Sequence, residues 1–246
     1  MKFNFTFLLF LLLCSNIEAQ KMPITGHSHN DYEQKLPLKT AFDARIGSIE
    51  ADVYLVNNNL FVAHEAKQID SKKTLDNLYL KPLAKAVRRH KAYPMVLLID
   101  IKTVADSTLQ LIEQQIAHYP AFLKPNCPVK FVISGNRPRP EKWVTYPPFI
   151  QFDGRPSETY TPEQLQRVGM VSESFGKFST FGQKDITEAI FHKMKTIVDT
   201  VHAQGKQVRF WATPDTETIW KILANMGVDF INTDTPKALR LFLNKK

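Results

Sequence analysis

The chain has 246 residues, with 32 Lys+Arg against 24 Asp+Glu for a formal charge of +8 and an apolar share of 43%. These proportions are those of an ordinary folded protein and exclude a disordered tail, a collagen-like rod and a multi-span membrane protein. With 9 Gly and 15 Pro in no period, a glycine-rich repeat is excluded as well.

Residues 1–19 read as a secretory signal peptide: Lys2, an apolar run from Phe3 to Leu13, then Ile17-Glu18-Ala19 before the expected cut. The run is too short to span a bilayer. The expected location is therefore secreted or periplasmic. A lipoprotein anchored through Cys14 is the alternative, opposed by bulky Leu13 where a small residue is usual. Residues 20–246 then form one domain, a length that a single α/β barrel commonly fills. Once Cys14 is removed, Cys127 has no partner for an intramolecular disulfide and reads as an inert buried thiol. The basic residues are scattered, and their one tight cluster, Lys85, Arg88, Arg89 and Lys91, reads as a solvated helix face. Charge thus implies an affinity for anionic substrates or an anionic membrane surface and gives no nucleic-acid footprint. Oligomeric state is left open.

Short apolar runs of strand type occur at 23–29, 48–53, 95–101, 129–134, 149–152, 168–171, 207–212 and 229–232, with a further short run at 60–64. Helical patterns fall at 36–45, 74–90, 104–118, 185–204, 218–226 and 236–244. The fourth is the clearest. Asp185 and Glu188 fit a capping box, Ile186, Ile190, Met194, Ile197 and Val201 share one face, and Gly205 supplies the stop. Strands alternating with helices imply parallel pairing, and eight such units imply a closed (β/α)8 TIM barrel.

Three successive runs end in polar groups where a buried strand should carry none: His27 and His29, Glu50 and Asp52, Asp100 and Lys102. Residues two apart share a face of a strand, and in a parallel barrel the carboxyl ends of the strands open onto the active site. His64 ends the extra run and reaches the same rim. Carboxylates brought this close repel unless a cation lies among them, and these are hard oxygen ligands suited to one Mg2+ or Ca2+. Lys102 and the imidazoles suit a bound phosphate and proton transfer.

His29-Asn30, Glu50-x-Asp52, His64 and Ile99-Asp100-Ile101-Lys102 resemble the superfamily of phosphatidylinositol phospholipases C and glycerophosphodiester phosphodiesterases, the PLC-like phosphodiesterases. Phe210-Trp211-Ala212-Thr213 and the segment 227–236 are similar to the closing strands of the phosphodiesterase branch. The resemblance implies a metal-assisted TIM barrel that cleaves phosphodiesters, with a small-molecule or lipid diester as substrate. It implies His29 as general base, His64 as general acid, Glu50, Asp52, Asp100 and Asn30 around the metal, and Lys102 on the phosphate. His27 has no secure counterpart and is an alternative base. Trp211 is a candidate wall of the substrate pocket. The chain departs from the phosphodiesterases' usual His-Arg-Gly and Pro-Glu-Asn in carrying His29-Asn30-Asp31 and Pro37-Leu38-Lys39, which points away from glycerophosphodiesters themselves. Two other readings of the same residues are a metal hydrolase of amidohydrolase type, with His27 and His29 both on a transition metal, and a non-catalytic barrel that binds lipid headgroups or glycans.

Overall fold

The computed structural model describes residues 23–179 and 186–245. The signal-peptide segment and Asp185 lie outside the described residues. The first strand, β1 (Thr25–Ser28), leads through a loop to the short helix α1 (Lys39–Asp43), then β2 (Ser48–Val56) and its antiparallel return β3 (Asn59–Val62). There follow α2 (Lys81–Arg88), β4 (Met95–Ile101), α3 (Ala105–Ala117), β5 (Val129–Gly135), α4 (Pro140–Trp143), β6 (Ile150–Gly154), α5 (Pro162–Arg167) and β7 (Val168–Ser174). Helix α6 (Glu188–Ala203), β8 (Val208–Trp211), α7 (Glu217–Met226), β9 (Phe230–Thr233) and α8 (Pro236–Asn244) complete the chain.

Eight strands pair in parallel in the cyclic order β1, β2, β4, β5, β6, β7, β8, β9 and back to β1, which closes the expected (β/α)8 barrel. Strand β3 stands outside the ring as the return arm of a hairpin on β2. Each of the eight apolar runs read from the sequence overlaps one barrel strand, and five of the strands continue past the end of the run. Helix boundaries moved more. The 74–90 pattern divides into a wide turn over Asp76–Leu80 and α2, and 36–45 contracts to the five residues of α1. Helix α6 is capped by Thr187, whose side chain accepts from the Ile190 amide, in place of the expected Asp185 box. None of the described helices is long and apolar enough to cross a membrane.

Alternation along the strands builds two cores. Residues such as Leu97, Ile99, Phe131, Ile133 and Phe210 face outward into the layer of helices. Val96, Leu98, Val132, Met170 and Phe230 point inward and form a separate apolar plug inside the barrel. Two residues further along the same strands, toward their carboxyl ends, the inward positions turn polar: Asp100 follows Leu98, Ser134 follows Val132, Ser172 follows Met170 and Asn232 follows Phe230. The site rests on this apolar plug.

Candidate active site

The polar ends of the strands surround a cavity of about 330 Å3 lined by His29, Asn30, Glu50, Asp52, His64, Asp100, Lys102 and Trp211, among others. Eight of the nine candidate residues therefore meet at one place. His27 is the exception. It is fully buried beneath the cavity, with Nδ1 2.8 Å from Ser48 Oγ and Nε2 against Arg209 and 3.0 Å from Glu50 Oε2. Burial, then Arg209, holds its pKa down at about 4, against the pull of Glu50. Nδ1 is paired with Ser48 and Nε2 with Arg209 and Glu50, so both ring nitrogens are engaged. With no exposed nitrogen, His27 is not the base, and it does not share a metal with His29. The His-x-His reading is corrected on that ground, and the amidohydrolase-type site falls with it.

The three carboxylates come from two neighbouring strands. Glu50 and Asp52 lie on β2, Asp100 lies on β4, and Asp52 is in direct register with Asp100. One oxygen from each lies within 4.8 Å of the others, the one such group found among the described residues. Burial alone would raise the Glu50 carboxyl, but Arg209, 3.5 Å from Oε2, and then His27 hold it well below the usual carboxylate range. Burial first, and then the charge of Glu50, pushes Asp52 up despite Lys102. Burial pushes Asp100 up to about 6, with Asp52 and Glu50 adding to it against Lys102. Lys102 Nζ bridges the two, 3.0 Å from Asp52 Oδ2 and 3.3 Å from Asp100 Oδ1. Asp52 Oδ1 is buried without a hydrogen-bond donor, and Asp100 Oδ1 has no partner beyond the ion pair with Lys102. Buried carboxylate oxygens without donors are costly, and a divalent cation is a partner that this oxygen-only donor set fits.

Asn30 stands at the cluster in a left-handed conformation (φ 43°). The Tyr32 hydroxyl lies 2.8 Å from Asn30 Oδ1 and 2.9 Å from Asp52 Oδ2, so its single hydrogen ties the two together. The same oxygen is 3.4 Å from His64 Nδ1, and His64 is half exposed at the rim. Across the cavity, His29 Nδ1 donates to Asp234 Oδ1 at 2.8 Å, which leaves Nε2 for the pocket. Burial lowers the His29 pKa, but the Asp234 hydrogen bond and the charge of Glu50 outweigh it and raise the imidazole above its ordinary value. Trp211, at the end of β8, is 42% exposed and walls the mouth.

Several residues of the site escaped the sequence reading. Asp234 orients His29. Arg209 supports Glu50 from below. Asp153 and Arg155 line the cavity as an ion pair at 2.7 Å, with Asp153 Oδ1 buried and without a donor. Asp153-x-Arg155 and Arg209-x-Trp211 repeat the two-residue spacing that identified the first three pairs, so the same rule applied to every strand finds them. Asp234 is a loop residue and gives no such signal.

Residues 15–121 match the AIM6-like phosphodiesterase domain, and residues 207–237 match the glycerophosphoryl diester phosphodiesterase family. Altered inheritance of mitochondria protein 6 of Eremothecium gossypii is similar at 26% identity, over 88% of this chain and 68% of its own length. Among solved structures, a glycerophosphodiester phosphodiesterase from Parabacteroides distasonis shares the fold with a TM-score of 0.59 at 16% identity, over 92% of this chain and 98% of that one. A Ca2+-dependent phosphatidylinositol-specific phospholipase C from Streptomyces antibioticus shares it with a TM-score of 0.54 at 11% identity, over 90% and 95% of the two chains. Both sequence matches and the fold thus agree with the resemblance to the PLC-like phosphodiesterases read from the sequence.

Proposed function

We propose that the protein is a divalent-metal-dependent phosphoric diester hydrolase that acts by histidine acid–base catalysis on a lipid or headgroup diester. The observation that carries the proposal is the placement of His29 and His64 in one cavity with three converging carboxylates, of which Asp52 keeps a buried oxygen without a donor. Glu50, Asp52 and Asp100, with Asn30 beside them, would hold one Mg2+ or Ca2+. Charge stabilisation at the phosphoryl oxygens is the chemistry such a cation supplies when bound. Lys102 adds a positive charge on the same side.

His29, held through Nδ1 by Asp234, presents Nε2 to take a proton from the attacking hydroxyl, as a base oriented by a carboxylate does. His64, exposed at the rim, gives a proton to the departing alkoxide. Asp153 Oδ1 and the Arg155 guanidinium offer an acceptor and donors to the alcohol portion of the substrate. The nucleophile in this reading is a hydroxyl of the substrate next to the phosphate, since binding holds it at high effective concentration; its attack breaks the bond from phosphorus to the leaving alcohol and gives a cyclic diester, which water then opens.

The test is a panel of glycerophosphodiesters, phosphatidylinositol, sphingomyelin and bis(nitrophenyl) phosphate, assayed with Mg2+, with Ca2+ and with excess chelator. Turnover of at least one diester that stops in chelator and returns with metal is expected. Full activity in chelator, or no turnover of any diester with either metal, sinks the proposal. Export belongs to the same proposal, and mass spectrometry of the protein recovered from its producing cells should find a chain that starts at Gln20.

A further inference from the structure

The other end of the barrel carries a second cavity, of about 580 Å3, among the residues that begin the strands. Thr25 opens β1, Met95 opens β4 and Phe230 opens β9, so this cavity lies on the face opposite the catalytic one and shares no residue with it. Its walls are apolar, with Ile24, Met95, Phe230 and the Tyr93 ring among them. Arg45, Lys130 and Arg240 also line it, and no carboxylate does.

Among the described residues, none of these three cations has an ion pair, whereas exposed lysines elsewhere, such as Lys39 with Asp43 and Lys142 with Asp106, do. Arg45 is instead stacked over Tyr93, 4.9 Å from its ring centre, and the Tyr93 hydroxyl is fixed by donating to the Ile46 carbonyl at 2.8 Å. The guanidinium is thus held in place with its donors unspent. Unpaired cations gathered on one apolar cavity repel one another and lack the counter-charge that an anion would bring. Arginine presents a planar fork of donors that matches a carboxylate or phosphate, and the volume is that of an ordinary ligand pocket.

We propose that this cavity binds an amphiphilic anion, a single carboxylate or phosphate head on a medium-length apolar body, with Arg45 and Arg240 on the head and the Ile24, Met95 and Phe230 side chains on the body. The site is independent of the catalytic reading. Decanoate and decyl phosphate serve as probes for the two heads, and calorimetry of the purified protein should show saturable binding of at least one, with a Kd on the order of 1 mM or tighter for about a dozen non-hydrogen atoms. Decanol and decyltrimethylammonium should bind at least tenfold more weakly, and inorganic phosphate alone should not saturate in the same range. The double substitution Arg45→Gln and Arg240→Gln should weaken the bound probe at least tenfold.

A second measurement needs no substitution at the cations. With 13C-methyl methionine labelling, the Met95 signal should move with the probe while those of Met194 and Met226, buried elsewhere, hold. Absence of binding by both probes overturns the proposal. So does equal binding of decanol, an unchanged affinity in the double variant, or an unmoved Met95 signal.

Discussion

Gly135 closes β5 directly beside the carboxylate cluster, and replacing it with alanine tests how tightly that cluster is built. Its backbone has a φ of +67°, where an L side chain costs roughly 1–2 kcal/mol. An added Cβ would lie 2.0 Å from Asp100 Oδ1 and 2.5 Å from the Ile101 carbonyl oxygen. The Asp100 side chain can rotate away, but the carbonyl moves only with the backbone of β4, and such overpacking costs roughly 1–3 kcal/mol more. The total is roughly 2–5 kcal/mol, or a fall in melting temperature of roughly 4–20 °C for a domain of this size. Gly205 provides the matched control, with a φ of +68° and nothing within 4 Å of its Cβ position. Gly205→Ala should therefore lose only the backbone share. Melting curves of both variants give the difference, and calorimetric titration with Mg2+ or Ca2+ gives the second readout. Gly135→Ala should weaken the metal at least tenfold by displacing Asp100, while Gly205→Ala leaves it unchanged. Equal melting temperatures in the two variants would refute the crowding argument, and an unchanged metal affinity in Gly135→Ala would refute the placement of Asp100 among the ligands.

Four other outcomes are expected. His64→Ala should lose roughly 10²–10⁴ in rate on an alkyl diester but much less on a nitrophenyl diester, whose leaving group needs no proton; equal losses on both would remove His64 as the acid. Asp234→Asn should lower kcat on all substrates with little change in KM, because an amide can also donate to Nδ1 of His29 and so no longer fixes its tautomer; unchanged kcat means that the contact does not orient the base. Asp31, buried, accepts from Ser28 Oγ, the Leu38 amide and the Tyr79 hydroxyl, and it anchors the loop that carries His29 and Asn30. Asp31→Asn places an amide against one of those donors and should cost roughly 1–3 kcal/mol in denaturant melts, with activity falling alongside. The Glu158 carboxyl is raised by burial, but hydrogen bonds from Arg137 and Tyr160 outweigh this and lower it below its ordinary 4.5. Its stabilisation is therefore complete above pH 4.5 and lost as the pH falls through the lower folded value, so Glu158→Gln should flatten the acid side of a melting-temperature profile.

The barrel was legible because each parallel strand, buried on both faces, must be a short apolar run, and nothing else in the chain imitates eight of them. Helix ends were less legible. The 36–45 segment has helical spacing, yet Leu38 adopts a φ of 59° and the chain is tied to buried Asp31, so tertiary contacts hold half of that stretch outside the helix. Short α4 and α5 went unread, because four and six residues are too few to show a period.

In the site, strand spacing brought the right faces together but could not give depth along the barrel axis, and depth is what separates His27 from His29. Both follow the same spacing rule. One lies level with Ser48 and Asn232, sealed within the barrel wall, and the other has passed the end of β1 into the open cavity. Depth also decides charge. At the level of His27, Arg209 lies beneath Glu50, so the three carboxylates are offset by two cations, Arg209 and Lys102, while His27 is neutral. That leaves the cluster with a formal charge of −1. A divalent cation, held there as proposed, would carry it to +1, which the single negative charge of a phosphodiester neutralises and the second charge of a phosphomonoester exceeds. The proposed function therefore predicts faster turnover of a nitrophenyl phosphodiester than of nitrophenyl phosphate, and equal turnover of the two would refute this charge balance.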